Sequence, residues 1–157
     1  AIAQIPDEKL SWQFNDESNS VATIVKHLWG NMLSRWTDFL TTDGEKEWRN
    51  RDTEFESGKQ SKQELLAVWE KGWDCFFSTL GSLKKKDLKK KVSIRKEELT
   101  VVDAINRQLA HYPYHVGQII YIAKIIRNKN WKNLSIPKGE SQVYNSSAET
   151  KDPAKKY

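Results

Sequence analysis

The chain contains three histidines, His27, His111 and His115, and their side-chain type suits metal binding. His111 and His115 are four residues apart, and in an α-helix this spacing places both imidazoles on one side, close enough to share an ion. Neutral imidazole is a common protein ligand for zinc, nickel and iron. The pair therefore predicts a divalent metal site, although two partly exposed histidines with ordinary hydrogen bonds would give the same pattern.

The third histidine lies among short polar residues on its own predicted helix. Asn31 and Ser34 share the helix face of His27, and a row of short polar side chains of this kind can line a water-filled pocket. His27 considered alone would be interpreted as an exposed histidine. Three histidines without a fourth protein ligand leave an open coordination position, which is typical of catalytic rather than structural sites. Asn31 beside His27, and Gln118 or Gln108 beside the later pair, are candidates to hydrogen-bond the ligands.

Two helices are predicted before residue 81. Apolar residues recur at helical spacing from Val21 to Leu40, with Asn19 or Ser20 as the cap. A second apolar run follows the capping box that begins at Ser61, and Gly81 is placed where a helix often ends.

A third, longer helix is predicted from a cap at Thr100 to about Arg127. Its apolar stripe comprises Ile105, Leu109, Tyr112, Val116, Ile119, Ile120, Ala123 and Ile126. Pro113 interrupts the helical pattern between the two histidines, so a kink or bulge is expected there. The alternative is that the helix begins near Pro113.

These elements predict an all-α bundle formed by a single domain over residues 1–157, with a polar C-terminal tail from about 137 to 157. The segment Ala1–Ile5 has the pattern of a helix end stopped by Pro6, so we expect a first bundle helix to be largely missing from this numbering. A short strand at Lys91–Arg95 is compatible with the sequence but is not assigned. The long, charged loop over residues 45–60 suits either a functional loop or a surface excursion.

Composition excludes several classes of protein. No apolar run is long enough to cross a membrane, and no signal segment opens the chain, so a cytoplasmic protein is expected.

The single cysteine, Cys75, lies among aromatic residues and is interpreted as a small buried hydrophobe. The net charge of +5 includes two lysine triplets, Lys84–Lys86 and Lys89–Lys91. Because no aromatic residue lies within this run, we favour a solvated face over a nucleic-acid site.

Four segments carry a resemblance to known proteins: HYPYHVGQIIYIAKII (111–126), NWKNLSIPKGES (130–141), SNSVATIVKHLWGNMLSRWTDFLTTDGEK (18–46) and EWRNRDTEFE (47–56). Together they resemble the DinB-like superfamily of metalloenzymes. The resemblance is to a branch of that superfamily labelled a domain of unknown function, and it spans nearly the whole chain.

The resemblance implies a four-helix bundle, often a homodimer, with one divalent metal ion held by His27, His111 and His115. Zinc is the ion expected first, with nickel and iron as alternatives. Relatives in the superfamily include thiol-dependent enzymes, which implies a transferase that joins a low-molecular-weight thiol to an electrophile. A metal-dependent hydrolase and a non-catalytic stress-response or binding protein remain alternatives. No general base is identified, because no carboxylate is placed by spacing beside the histidines.

Overall fold

The computed structural model describes residues 1–55 and 60–146, and most of these are helical. Four α-helices occur in this part of the chain: α1 (Val21–Trp36), α2 (Lys62–Ser82), α3 (Val101–Arg127) and α4 (Ser141–Ser146). Strands β1 (Lys91–Ile94) and β2 (Glu97–Thr100) form an antiparallel hairpin. Short 3-10 turns lie at Ile2–Gln4, Asp7–Lys9, Asp52–Phe55, Lys85–Lys89 and Asn128–Asn130. The prediction of an all-α fold is therefore confirmed in its general form.

The predicted capping residues start all three long helices. The Ser20 hydroxyl accepts from the backbone amide of the third residue of α1. Ser61 forms a reciprocal capping box with Glu64, and Thr100 forms one with Asp103. Each cap satisfies amide groups that the first helical turn leaves without a partner, which explains why these helix starts are readable from the sequence.

The predicted helix ends are less accurate. α1 stops at Trp36 rather than at Leu40, because Thr37 is extended and Asp38 has a φ of 50°. Gly81 lies inside α2 instead of terminating it, and the extended residue Leu83 follows the helix. Both ends are set by local backbone conformations that have no glycine or proline signal.

Helix α1 is the central element of the core. None of its residues is exposed, and its predicted apolar stripe is buried as expected. It packs against both α2 and α3. The N-terminal segment adds Ile5 and Leu10, which are 0% and 1% exposed. The side-chain amide of Gln4 forms two 2.9 Å hydrogen bonds with the backbone of Lys132, which holds this segment against the chain after α3.

Helix α3 is continuous through Pro113, so the alternative start near this proline is wrong. The helix is rotated relative to the predicted stripe, because Leu109 is 62% exposed while Gln108 is buried. The buried face comprises Val101, Ala104, Gln108, Tyr112, Ile119 and Ala123. A hydrophobicity pattern misses this rotation, because one of the inward residues is an amide and two are alanines.

The hairpin lies between α2 and α3, and a two-residue turn joins its two strands. Arg95 and Lys96 both have positive φ, 55° and 65°, a conformation that most side chains disfavour. Asp43 stabilises the turn, because its carboxylate accepts from the backbone amides of Arg95 at 2.9 Å and Lys96 at 2.8 Å. The carboxylate also accepts from the Ser93 hydroxyl and from the amide of Glu45. A residue distant in sequence thus holds the turn in place.

We expect Asp43→Asn to lower the free energy of unfolding by about 1–3 kcal/mol, since an amide cannot accept all of these hydrogen bonds. Partial burial alone would raise the pKa of Asp43, but hydrogen bonds from Ser93 and three backbone amides outweigh it and hold the pKa well below its ordinary value. The contribution of the Asp43 carboxylate to the stability of the wild type is therefore fully present above about pH 3.9, the pKa of an aspartate in the unfolded chain. This contribution is lost as the pH falls further.

Thermal unfolding followed by circular dichroism at pH 7 and pH 3 measures this effect. The difference between wild type and Asp43→Asn should be large at pH 7 and smaller at pH 3. Asp74→Asn, on the exposed face of α2, is the control and should change stability by less than about 0.5 kcal/mol. A difference that does not vary with pH would contradict the expected role of the Asp43 carboxylate.

Three further predictions concern the membrane and the chain ends. Within residues 1–55 and 60–146, no helix combines the length and apolar character that crossing a bilayer requires. The predicted polar tail contains a short helix at Ser141–Ser146, although an irregular structure is expected from such a composition, and residues 147–157 lie outside the described residues. Residues Ile2–Gln4 form a 3-10 turn, and the largely missing first bundle helix stays a prediction.

Candidate metal centre

The three histidines come together at one point, although they lie on two helices. Helix α1 carries His27, and α3 carries His111 and His115. The Nε2 atom of His111 lies 3.3 Å from Nε2 of His27 and 3.1 Å from Nε2 of His115. One ring nitrogen from each histidine lies within 4.8 Å of the other two. The structure therefore brings together all three of the predicted ligands.

Hydrogen bonds on the far sides of two rings indicate which nitrogen carries the proton. Nδ1 of His27 lies 3.0 Å from Oε2 of Glu54, and Nδ1 of His115 lies 2.7 Å from Oε1 of Gln118. Both oxygens are acceptors, so each Nδ1 carries a hydrogen, and the neutral form of each ring then has its lone pair at Nε2. Both lone pairs face His111, whose Nε2 carries at most one hydrogen. The cluster thus has more acceptors than donors.

The spacing of these nitrogens suits a bound cation. Zinc lies about 2.0–2.1 Å from histidine nitrogens in tetrahedral sites, so two such ligands are about 3.3–3.4 Å apart. The observed separations of 3.3 and 3.1 Å are close to this value. Three imidazoles also form a donor set that suits zinc, nickel and iron.

Burial keeps the two α3 histidines in the form that binds metal. Burial, together with the charges of the neighbouring histidines, lowers the pKa of His111 to about 4. Burial also lowers the pKa of His115, although its hydrogen bond with Gln118 opposes this change. Both rings are therefore neutral near pH 7, which is the state that a metal ion needs.

Glu54 holds His27 in position and is itself held on two sides. Nε of Arg49 donates to Oε1 of Glu54 at 2.8 Å, and Nη2 donates to Oε2 at 3.0 Å. The side chains of Arg49 and Glu54 are only 3% and 8% exposed. Burial alone would raise the pKa of Glu54, but the hydrogen bonds from His27 and Arg49 outweigh it, and the pKa lies below its usual value. The carboxylate is therefore ionised at neutral pH.

Helix α1 approaches this carboxylate closely at Gly30. A Cβ atom built on Gly30 would lie 2.1 Å from Oε1 of Glu54 and 2.9 Å from its Cδ. Real atoms do not approach this closely, so any larger residue at position 30 must displace the Glu54 side chain. The absence of a side chain at Gly30 thus leaves the space that Glu54 needs to reach His27.

A cavity of about 400 Å³ opens over the three histidines. Its lining consists of these histidines, five arginines, three amide side chains, and the apolar residues Ile24 and Phe55. The ring centroid of Phe55 lies 5.5 Å from that of His27. Within the described part of the chain, no aspartate or glutamate lines the cavity.

The other predicted residues differ in their relation to the histidines. Gln118 contacts His115 and also donates to the Tyr114 hydroxyl at 3.0 Å. Asn31 lines the cavity, but its side-chain oxygen accepts from the Tyr112 hydroxyl at 3.2 Å. Gln108 lines the cavity and is 3% exposed, and its Oε1 has no hydrogen-bond partner among the described residues. Gln118 is thus the predicted amide that holds a histidine.

The functional residues that the sequence did not reveal lie in the long loop. Glu54 and Phe55 belong to a 3-10 turn that packs against α1, and Arg49 lies just before it. The length of the loop allowed a functional interpretation, but nothing in the spacing related it to His27. Residues 56–59 of this loop lie outside the described residues. Cys75 is half-buried on α2 and does not line the cavity.

Comparisons with known proteins place the chain in one family. A search of curated proteins found no match, and a search of solved structures found none either. The family model described as "Protein of unknown function (DUF1572)" matches residues 1–140, and the chain therefore belongs to this family.

Proposed function

We propose that His27, His111 and His115 hold one divalent metal ion, and that the protein is a metal-dependent transferase that uses a low-molecular-weight thiol. The observation that carries the proposal is the convergence of three Nε2 atoms, two of which present lone pairs to the third ring. Without a cation, this arrangement leaves partly buried acceptors that face one another, which is unfavourable. Zinc is the proposed ion, with nickel and iron as alternatives.

The proposal includes a bundle of DinB type and a homodimer. The central position of α1 against α2 and α3 supports the bundle. An exposed apolar face on α3, formed by Tyr114, Tyr121 and Ile125, supports the homodimer, because such faces are commonly covered in an assembly.

Each residue around the site has a role in this proposal. Glu54 and Gln118 accept from Nδ1 of His27 and His115, and so keep both Nε2 lone pairs directed at the ion. Phe55 and Ile24 form the apolar part of the cavity wall and reduce the access of water. A divalent ion in this position would supply a Lewis acid that lowers the pKa of a coordinated thiol.

The composition of the cavity wall favours thiol transfer over hydrolysis. Hydrolysis at a metal centre usually needs a carboxylate that moves protons beside the bound water. Among the described residues, none with a carboxylate lines the cavity, and Glu54 is engaged with His27 and Arg49. The cavity also leaves room for a substrate over the histidines, which a purely structural metal would not need.

The first experiment measures the metal content of protein purified without a histidine tag, by plasma mass spectrometry. We expect close to one ion per chain in the wild type and loss of the ion in His115→Ala. Leu109→Ala is the matched control, since it lies on the exposed face of the same helix and should retain the ion. No ion in the wild type after reconstitution with zinc, nickel or iron would refute the proposed site.

The same proteins then test the transferase reaction. Wild type loaded with metal should accelerate the conjugation of a small thiol such as cysteine to a chromogenic aryl halide, and His115→Ala should not. Stoichiometric metal without any metal-dependent thiol conjugation would favour the alternative of a binding protein.

A further inference from the structure

The cavity over the histidines has an unusual charge distribution. Five of the chain's six arginines line it: Arg35, Arg49, Arg51, Arg95 and Arg107. No lysine within residues 1–55 or 60–146 lines it, although lysine is the more abundant cation in the chain. Arginine differs from lysine in presenting a planar fork of donors that matches carboxylate and phosphate groups. The selective placement of guanidinium groups therefore indicates an anionic ligand.

The carboxylates near the cavity do not neutralise these arginines. Arg49 is paired with Glu54, while Arg35 and Arg95 share a single oxygen of Glu45 at 3.2 and 2.8 Å. Three guanidinium groups thus share two carboxylates. Burial lowers the pKa of Arg35, Glu45 opposes this, and the charges of Arg49 and Arg95 lower it further. The positive groups are therefore close enough to repel one another, and an added anion would relieve this repulsion.

Among the described residues, the two remaining cavity arginines, Arg51 and Arg107, have only weak partners, which leaves them available for a ligand. The guanidinium of Arg51 lies over the ring of Phe55, 5.5 Å from its centroid, and has no ion pair in the described part of the chain. The same ring lies beside His27. Arg107 contacts Glu97 only at 4.0 Å, and both side chains are largely exposed, so this pair contributes little. The buried Gln108 lines the same cavity, and its Oε1, which has no hydrogen-bond partner among the described residues, can accept a hydrogen bond from a ligand.

We infer that the cavity binds a small organic anion, whose carboxylate or phosphate group is held by Arg51 and Arg107 while the rest of the molecule faces the three histidines. This inference rests on the proposed function, because it names the substrate class of the same site. The ion would add further positive charge and strengthen the binding of an anion.

Isothermal titration calorimetry with succinate and with inorganic phosphate tests the inference, using metal-loaded wild type. Succinamide, which has the same skeleton without charge, is the ligand control. We expect at least one of the two anions to bind, with affinity that falls as salt increases, and succinamide not to bind. A preference for succinate or for phosphate identifies the acidic group that the cavity accepts.

Arg51→Gln and Arg107→Gln should each weaken anion binding by about ten- to a hundred-fold, as expected for loss of a charge-assisted hydrogen bond. Both residues are exposed, so the variants should fold normally. Lys89→Gln removes the same charge outside the cavity and should leave the affinity unchanged. Anion binding that is absent, or that is equally strong in the arginine variants, would overturn the inference.

Metal content measured on the same samples separates this inference from the proposed function. Stoichiometric metal without arginine-dependent anion binding would refute only the anionic substrate. Arginine-dependent anion binding in a protein that holds no metal would support the anion site and refute the metal centre.

Discussion

Replacing Arg49 with methionine is expected to lower the free energy of unfolding by about 3–5 kcal/mol, the usual effect of removing one partner of a buried ion pair. Methionine fills a similar volume, so the loss would come from charge rather than from packing. Glu54, with a side chain only 8% exposed, would stay buried, and within the described part of the chain its carboxylate would keep only the hydrogen bond from His27. Chemical denaturation at pH 7 measures the difference.

The pH dependence of this variant provides a second check. Because the folded pKa of Glu54 lies below its ordinary value, its contribution to stability is complete above an unfolded pKa of about 4.3 and is lost as the pH falls through the folded value. The deficit of Arg49→Met should therefore be large at pH 7 and shrink below about pH 4, where Glu54 becomes protonated.

Two further variants control for other causes. Arg107→Met removes an exposed arginine whose partner, Glu97, lies 4.0 Å away. It should lower the free energy of unfolding by less than about 1 kcal/mol. In a double-mutant cycle, Glu54→Gln should make the Arg49→Met substitution much less harmful, because no buried charge is then left without a partner. An Arg49→Met protein as stable as the wild type would show that the ion pair does not support the fold.

Gly30→Ala is expected to weaken metal binding by about ten- to a hundred-fold, the usual effect of losing a group that orients a metal ligand. The new methyl group would occupy the space of the Glu54 carboxylate and push it away from His27. Alanine is normally favoured over glycine inside a helix by about 1 kcal/mol, so a loss of affinity or stability would point to the clash with Glu54.

Competition with a chromogenic zinc chelator measures the affinity of Gly30→Ala, and circular dichroism verifies that the protein remains helical. Gly81→Ala is the matched control, because it lies in α2 and a Cβ there would meet nothing within 4 Å. This control should keep full affinity. If Gly30→Ala bound zinc as tightly as Gly81→Ala, then the contact between Glu54 and His27 would not matter for metal binding.

The parts of the fold that could be predicted are those with local signals. The capping residues Ser20, Ser61 and Thr100 marked the helix starts, because a helix start depends on groups within four residues. The hairpin was not assigned, because its turn uses Arg95 and Lys96 where asparagine and glycine are usual. The stabilising group, Asp43, lies some fifty residues earlier in the chain.

The candidate site likewise contains residues that local sequence signals reveal and residues that only long-range packing brings together. His111 and His115 could be paired from sequence because one helix carries both, whereas the position of His27 beside them depends on how α1 packs against α3. Glu54 could not be assigned at all, since its contact with His27 crosses from a loop to a helix and its partner Arg49 has no helical spacing. The apolar stripe of α3 also predicted the wrong orientation of this helix, because the inward face includes Gln108.

In the hairpin turn, the residues that would best stabilise the backbone differ from the residue that lines the cavity. Two side-chain-bearing residues in the left-handed region cost about 1–2 kcal/mol each, and asparagine followed by glycine would relieve most of this cost. The same exchange would remove Arg95, which pairs with Glu45 and lines the cavity. Selection for thermal stability alone would therefore favour changes in this turn. The resulting protein would be more stable but would have one fewer cation in its cavity.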